Sequence, residues 1–355
     1  MFHLNQFHHR RYADPPYNGH VATILCAFRP SVLPPFKREV HPGGDGNPIC
    51  VDWFYSATDS NRVVLIVPGL ASSSKTNYIV NFVQKAHTEG IHCCVFNSRG
   101  LGDTPLEKPR LMSAKYTDDL RSVVRGVLSK KALSERFNKE VTLFAAGFSL
   151  GGVILSKFVG EECLNKEAFN IQCVLVVNSP LDAVKANDVM DRPINRVLYQ
   201  PHMSKGLVRY ALRHRHLLKD IPLLPPHVQQ CFANGNYDEI FKQVKSVSDF
   251  DAVINAPANG YDNPIEYYKD ITPLKWIPHI TVPVLCISAA DDPTCGTFPF
   301  EPFRRMMDRS DNIGYILFPH GGHLGYVGSP LKEWRGLPNM LEETLCTIIH
   351  SYNAA

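Results

Sequence analysis

The sequence predicts an α/β protein with a mostly parallel central sheet, flanking helices and an inserted, mainly helical cap. Three observations support this class. Short apolar runs alternate with helical patterns, as in parallel sheets covered by helices. The alternation stops between residues 180 and 279 and then resumes. One serine stands among glycines where an apolar run gives way to a helical pattern, at residues 145–158 (AAGFSLGGVILSKF).

The alternating elements follow in order along the chain. Short, apolar runs predict buried strands at residues 62–68, 91–97, 141–146, 171–178, 283–289 and 313–318. Helical spacing predicts helices at residues 77–89, 116–131, 151–159, 302–308 and 341–350. Strands in this order need crossover connections if they are parallel, and the helices supply them.

The interruption defines the predicted domain organisation. Residues 180–280 contain helix-like patches broken by prolines and no clear strand. A structureless loop of this length is improbable in a compact domain, so we interpret the segment as an inserted cap. Residues 1–179, with an N-terminal extension at 1–35, then form the first part of the core. Residues 281–355 form the second part.

Composition narrows the class of protein. Hydrophobic residues make up 44% of the chain and charged residues 20%, which is ordinary for a globular protein with a large core. With 37 basic and 34 acidic residues, the net charge of +3 gives no reason to expect a nucleic acid partner. The ten cysteines lack CxxC pairs and metal-ligand spacing. We expect them to be reduced and buried, and we predict no metal and no cofactor.

The N-terminal residues bear on localisation. Residues 1–16 (MFHLNQFHHRRYADPP) contain no apolar stretch of signal-peptide length. No segment approaches the roughly 18 apolar residues of a membrane span, and residues 21–28 (VATILCAF) are far too short. We therefore expect a cytoplasmic protein that is soluble or rests on a membrane surface.

The serine lies in a motif with a known mechanical role. Residues 147–151 fit G-x-S-x-G between a predicted strand and a predicted helix, as that motif requires. At such a turn a nucleophilic serine sits in strained backbone above the sheet. Side chains at the flanking positions would collide with the neighbouring strand and helix, which explains Gly147 and Gly151. The alternative is a glycine-rich turn in which Ser149 is incidental.

Partners for the serine occur later in the chain. A serine hydroxyl reacts only with a base that takes its proton and an acid that orients the base. In this architecture the acid and then the base follow the serine, each after a later strand. The run at 283–289 leads into Asp291 and Asp292, and the run at 313–318 leads into His320 and His323. This order favours a reactive serine.

The choice between the two aspartates, and between the two histidines, depends on the surrounding loop. We predict Asp292 as the acid because it lies further from the strand and precedes a proline that fixes the turn. Asp291 is then a capping or solvated residue. We predict His323 as the base because glycines on both sides give its loop the freedom to reach Ser149. His320 is then a structural residue that bonds the backbone.

Two backbone N–H groups are predicted to form an oxyanion hole. One belongs to Leu150, directly after the nucleophile. The second should come from the loop after the run at 62–68, where the Pro-Gly-Leu sequence points to the N–H of Leu70. By itself this tripeptide is a strand-ending turn, so the prediction for Leu70 depends on the role of Ser149.

A basic stretch lies within the predicted cap. Residues 191–220 contain Arg192, Arg196, Lys205, Arg209, Arg213, Arg215 and Lys219. Apolar residues at 207, 208, 211 and 212 share one helical face. A basic amphipathic cap suits peripheral contact with an anionic lipid surface. A solvated helix face packed on the core is the plainer alternative. The sequence indicates no oligomeric state.

Several stretches of the chain resemble the α/β-hydrolase superfamily, specifically AB hydrolase family four (YheT-like). This family includes abhydrolase-domain esterases, monoacylglycerol lipases and phospholipases. The similar stretches are YNGHVATI, PGLASSSKTNYI, VFNSRGLG, AAGFSLGG, GYDNPIEYYKD, VPVLCISAADDP and HGGHLGY, between residues 17 and 326. The resemblance implies the α/β-hydrolase fold. It also implies Ser149 as nucleophile, Asp292 as acid and His323 as base, in agreement with the interpretation from the residues.

We therefore predict a serine carboxylic-ester hydrolase that works through a Ser-His-Asp acyl-enzyme. The resemblance implies a small-molecule or lipid ester as substrate, such as a medium-chain ester, a monoacylglycerol or a phospholipid. An acyltransferase would use the same acyl-enzyme and pass the acyl group to an alcohol. A catalytically silent hydrolase fold that binds lipid or a protein partner is the alternative of another class.

Overall fold

A central sheet of eight strands organises the computed structural model, which describes residues 17–352. In chain order, strands β1 to β8 span Lys37–Pro42, Pro48–Phe54, Arg62–Val67, His92–Asn97, Thr142–Phe148, Ile171–Val177, Val284–Ala289 and Ile313–Phe318. Across the sheet their order is β1-β2-β4-β3-β5-β6-β7-β8. β2 runs antiparallel to both of its neighbours, and all other pairs are parallel. The prediction of a mostly parallel α/β sheet is confirmed.

The six predicted strands correspond to β3 through β8 within one or two residues, whereas β1 and β2 are not predicted. β1 is an edge strand of mostly polar, partly exposed residues. β2 begins at Pro48 and carries the buried Asp52, so it shows no continuous apolar run. The Asp52 carboxylate is tolerated because Arg38 pairs with it and Ser74 and Asn97 donate hydrogen bonds to it.

Both faces of the sheet are buried, and successive residues alternate between them. Cys93 belongs to one apolar cluster and Cys94 to the other, as expected for neighbours in a strand. Burial on both faces explains why the parallel strands are unbroken apolar runs. The ten cysteines are free. The expectation that all are buried is wrong for Cys163, Cys231 and Cys295, which are partly exposed.

Eight helices of the described residues lie before and after the insertion. Helices α1 to α5 span Gly19–Phe28, Asn77–Thr88, Asp118–Arg125, Lys130–Phe137 and Leu150–Leu164, and α16 to α18 span Phe300–Met307, Pro330–Glu333 and Met340–Ser351. The single helix predicted at 116–131 is wrong, because the chain turns at Gly126 (φ −90°, ψ −102°) and α4 begins anew with Ser129 as its N-cap. Within residues 17–352, no helix is sufficiently long and apolar to cross a bilayer.

The segment between β6 and β7 is helical. Helices α6 to α15 span Ala183–Met190, Pro193–Leu198, Gln200–Arg213, Arg215–Leu218, Pro226–Ala233, Tyr237–Phe241, Val247–Phe250, Ala256–Ala258, Pro264–Ile271 and Pro273–Trp276. A π-helical turn lies at Asp251–Asn255 and a 3-10 turn at Ile277–His279. No strand interrupts these described residues, so the helical character expected for the cap is observed.

Packing divides this helical segment into two parts. Apolar residues from Leu207 to Ile254 form a cluster of their own, joined by Leu101, Leu106 and other residues of the loop after β4. Ala183 at the start of the segment, and most apolar side chains from Ala256 onward, including Tyr267, belong to the cluster on the sheet. The boundaries of the cap at 180 and 280 stay a prediction, and its last helices pack on the core.

Candidate active site

Ser149 occupies the sharp turn between β5 and α5. Its backbone has φ 52° and ψ −122°, a conformation that non-glycine residues rarely adopt. A Cβ on Gly147 would overlap the carbonyl oxygen of Gly151, and a Cβ on Gly151 would overlap that of Val67 in β3. The close crossing of helix and strands therefore requires both flanking glycines. It also directs the N-terminal amides of α5 towards the serine.

His323 lies in the loop after β8 and faces the serine. Its Nε2 is 3.0 Å from Oγ of Ser149, and its Nδ1 is 2.9 Å from Oδ2 of Asp292, in the loop after β7. If Nδ1–H is donated to the carboxylate, Nε2 is unprotonated and can accept the proton of the serine. The structure thus brings the three predicted residues together in an order that permits this proton transfer.

Asp292 is buried, and both oxygens of its carboxylate are hydrogen-bonded. Oδ1 accepts bonds from the N–H groups of Thr294 and Cys295 and from the Thr294 hydroxyl. Oδ2 accepts bonds from Nδ2 of Asn178 and Nδ1 of His323. Burial alone would raise the pKa of Asp292, but His323 and these hydrogen bonds outweigh it and hold the pKa far below its usual range. The carboxylate is therefore ionised at neutral pH.

The aspartate and the histidine that are not predicted as acid and base, Asp291 and His320, contact each other. Oδ1 of Asp291 accepts hydrogen bonds from the N–H groups of Gly321 and Gly322, so Asp291 caps the loop that carries His323. This agrees with the capping role expected for Asp291. Nδ1 of His320 lies 3.4 Å from Oδ2 of Asp291. His320 thus contacts a carboxylate, and the expectation that it bonds the backbone is wrong.

The predicted oxyanion donors lie close to the serine. Leu150 follows it directly, and the loop of Leu70 also reaches it, since a Cβ on Gly69 would lie 3.0 Å from Cβ of Ser149. Among residues 17–352, neither N–H donates a hydrogen bond. The N–H of Gly69, in contrast, donates to the Tyr78 hydroxyl at 2.9 Å, which holds the loop. Two free backbone donors beside a nucleophile are what an oxyanion hole requires.

Helix α1 contacts the loop that carries His323, which we call the base loop, and the sequence pattern does not reveal this role. Oγ1 of Thr23 accepts a hydrogen bond from the N–H of His323 at 2.8 Å and donates one to the Gly19 carbonyl at 2.6 Å. Sγ of Cys26 donates to the carbonyl of Leu324. The available signal is the stretch YNGHVATI, which resembles the family although it precedes the sheet.

Asn178 is a second residue whose role the sequence pattern does not reveal. It is buried directly after β6. Its Nδ2 donates to Oδ2 of Asp292 at 2.9 Å and to the Gly322 carbonyl at 3.1 Å, and its Oδ1 accepts a bond from the Tyr326 hydroxyl at 2.7 Å. One side chain thus joins the loop of Asp292, which we call the acid loop, to the base loop. The available signal is a polar residue at the carboxyl end of a central parallel strand, where sites in such sheets form.

One group of side chains within residues 17–352 has the spacing of metal ligands: Asp292, Cys295 and His323. Sγ of Cys295 donates to the Asn178 carbonyl and lies 3.6 Å from Nδ1 of His323. Metal binding would need a thiolate, but desolvation of the thiol, although the residue is partly exposed, and the neighbouring Asp292 raise the pKa of Cys295. The imidazole and the carboxylate are also bonded to each other. The group fits a hydrogen-bonded acid and base better than a metal ion.

Fold and site together define a class of protein. A mostly parallel sheet with a serine at the strand–helix turn, followed in the chain by an aspartate and a histidine, is the arrangement of α/β enzymes with a nucleophile elbow. The chain belongs to the alpha/beta hydrolase family, whose profile matches residues 64–335.

Two relatives and one solved structure are similar over most of the chain. Phospholipase ABHD3 of Mus musculus is 27% identical over 315 residues, which cover 86% of this chain and 70% of the relative. Monoacylglycerol lipase ABHD2 of Homo sapiens is 26% identical over 323 residues, with 87% and 72% covered. A solved esterase of Pyrococcus furiosus is 13% identical, with a TM-score of 0.54 and 92% and 97% covered. That structural likeness supports the fold alone.

Proposed function

We propose that the protein is a serine ester hydrolase that cleaves lipid-like acyl esters through Ser149, His323 and Asp292. The observation that supports this best is the continuous hydrogen-bonded chain from Oγ of the serine through the imidazole to a buried, ionised carboxylate. Each contact has the length and the order that nucleophilic catalysis by serine needs. The names of the two relatives, a phospholipase and a monoacylglycerol lipase, support a lipid substrate.

The proposed reaction has two halves. Nε2 of His323 takes the proton as Oγ of Ser149 attacks the ester carbonyl, and the N–H groups of Leu70 and Leu150 bind the developing oxyanion. The imidazolium then protonates the leaving alcohol, which leaves an acyl-enzyme. His323 next activates a water molecule that releases the acid. Asp292 stays ionised throughout and stabilises the imidazolium.

The surroundings of the serine favour an apolar acyl group. The side chains of Leu70 and Leu150 are partly exposed, and both pack against the apolar cluster of the cap. The two proposed oxyanion donors therefore come from residues whose side chains border an apolar region. An acyl chain that enters beside them would remove apolar surface from water, which is the main source of affinity for such ligands.

A substrate series tests the proposal. The purified protein should hydrolyse p-nitrophenyl esters from acetate to laurate with a maximum at medium chain length, and should release fatty acid from a monoacylglycerol or a phospholipid. Product analysis in the presence of glycerol separates water from alcohol as acyl acceptor, because only transfer makes a new ester. If the folded protein is inert on every ester, a silent binding protein replaces this proposal.

Removing the Asn178 side chain should slow catalysis without weakening substrate binding. Glycine is the suitable replacement because Asn178 has φ 42°, where alanine would add backbone strain. Loss of the hydrogen bonds to Asp292 and to the base loop should lower kcat about ten- to hundredfold, the effect of losing a bond to a charged group. Steady-state kinetics on a p-nitrophenyl ester should show an unchanged KM. A change confined to KM would contradict a positioning role for Asn178.

A further inference from the structure

Three helices that hold the active site turn their outer faces to solvent. α1 supports the base loop through Thr23. α7 is tied to the acid loop, because the buried Asn195 donates through Nδ2 to the carbonyl of Pro293 at 2.7 Å. α8 lies against the loop of Leu70 after β3, because a Cβ on Gly206 would touch Cβ of Ala71. Each of the three helices therefore adjoins a loop of the site, and we call their outward faces together the rim surface.

The part of the rim surface on α1 is apolar. Val21, Ile24 and Phe28 follow one another at spacings of three and four residues, which places them on one face of the helix. All three are exposed, and Phe28 is 72% accessible. The opposite face, with Ala22 and Cys26, is buried against the base loop. The exposed stripe therefore does not contribute to the core.

The part of the rim surface on α7 continues this apolar character. Ile194, Val197 and Leu198 are exposed, and Val197 is 75% accessible. α7 and α1 are joined, since the rings of His20 and Tyr199 stack and share a hydrogen bond of 3.0 Å. A group of exposed apolar side chains at an active-site rim marks a surface that contacts another molecule.

The part on α8 is basic. Its outward stripe consists of His202, Lys205, Arg209 and Arg213, all exposed. Residues 192–219 contain seven arginines and lysines and no acidic residue. Among the described residues, only Arg196 of these seven forms an ion pair, with Asp191. The rim surface thus combines unpaired positive charge with apolar side chains, the composition of helices that lie in a lipid interface.

We propose that the rim surface docks the protein onto a membrane that contains anionic phospholipids. The apolar side chains of α1 and α7 enter the headgroup region, and the basic side chains of α8 meet the lipid phosphates. A nucleic acid would match the charge but not the apolar stripe. A symmetric second copy would bring the basic stripes of two α8 helices together. The proposal concerns where the protein binds and does not depend on ester hydrolysis.

Vesicle co-sedimentation tests the proposal with the full chain. Vesicles of phosphatidylcholine are compared with vesicles in which about a third of the lipid is phosphatidylserine, because only the latter carry negative surface charge. We expect at least tenfold tighter binding to the anionic vesicles, and weaker binding as salt is raised. The double variants Ile194→Asp with Val197→Asp, and Lys205→Glu with Arg209→Glu, should each weaken binding at least tenfold.

Matched controls lie away from the rim surface. Leu164 is an exposed leucine at the end of α5, about 20 Å along the helix from Ser149. Leu164→Asp should bind vesicles like the wild type, and so should Lys130→Glu with Lys131→Glu on α4. The thermal unfolding midpoint of every variant should match that of the wild type, which confirms folding even if no ester is cleaved.

Several results would overturn the proposal. Equal binding to neutral and anionic vesicles would remove the role of the basic stripe. Absence of vesicle binding by the wild type would reject the surface altogether. Binding of RNA in place of vesicles would assign the charge to a nucleic acid partner. A dimer in size-exclusion chromatography that the α7 double variant dissociates would assign the apolar faces to a second copy.

Discussion

Replacing Ser149 by alanine should abolish ester hydrolysis, with kcat lower by about four to six orders of magnitude. The substitution deletes the only atom that the proposed mechanism bonds to the acyl group. The N–H groups of Leu70 and Leu150 remain, so residual catalysis reflects binding and oxyanion stabilisation without the covalent step. The fold should persist, because the serine side chain caps no helix end and its Oγ bonds only to His323 in the described structure.

The measurement combines kinetics with covalent labelling. Wild type and Ser149→Ala are compared on the best p-nitrophenyl ester, and a fluorophosphonate probe should label only the wild type. Ser156→Ala is the matched control, since Ser156 lies on the same helix and its hydroxyl bonds the Gly152 carbonyl inside that helix. It should keep wild-type kcat. Undiminished hydrolysis by a correctly folded Ser149→Ala would show that the turn at Ser149 is only structural and that Ser149 is not the nucleophile.

The residues that sequence reasoning identifies are those whose signal is local. Ser149 is marked by its own glycines, and Asp292 and His323 each stand within a few residues of a strand end. Their chain order restricts the alternatives further. Sequence spacing alone could not show that Asp291 caps the base loop while Asp292 meets the imidazole, because the two side chains differ only in direction.

The residues and elements that sequence reasoning misses depend on distant contacts. Thr23 and His323 are separated by 300 positions, and Asn178 and Asp292 by 114. No window of the sequence contains both partners of either bond. β2 is not predicted for a similar reason. Asp52 can lie inside the sheet only because partners from other strands and loops form hydrogen bonds with its carboxylate.

Replacing Asp292 by asparagine should lower kcat about 10⁴-fold, the size of effect expected when the base is held in the wrong tautomer. Oδ1 of Asp292 faces three donors from Thr294 and Cys295, so the amide oxygen of the asparagine must take that side. The amide NH₂ then points at Nδ1 of His323 and donates to it. The ring proton moves to Nε2, which can no longer accept the proton of Ser149.

Asp291→Asn is the matched control for this substitution. Both N–H groups that Asp291 binds, those of Gly321 and Gly322, bond the same oxygen, Oδ1, which an asparagine oxygen can replace. Kcat of Asp291→Asn should therefore stay within a few fold of the wild type. Proton NMR gives an independent readout, because the Nδ1–H resonance of His323 should be present in the wild type and in Asp291→Asn and absent from Asp292→Asn. If Asp291→Asn loses activity and Asp292→Asn keeps it, the acid is Asp291 and the hydrogen bond between Asp292 and His323 is only structural.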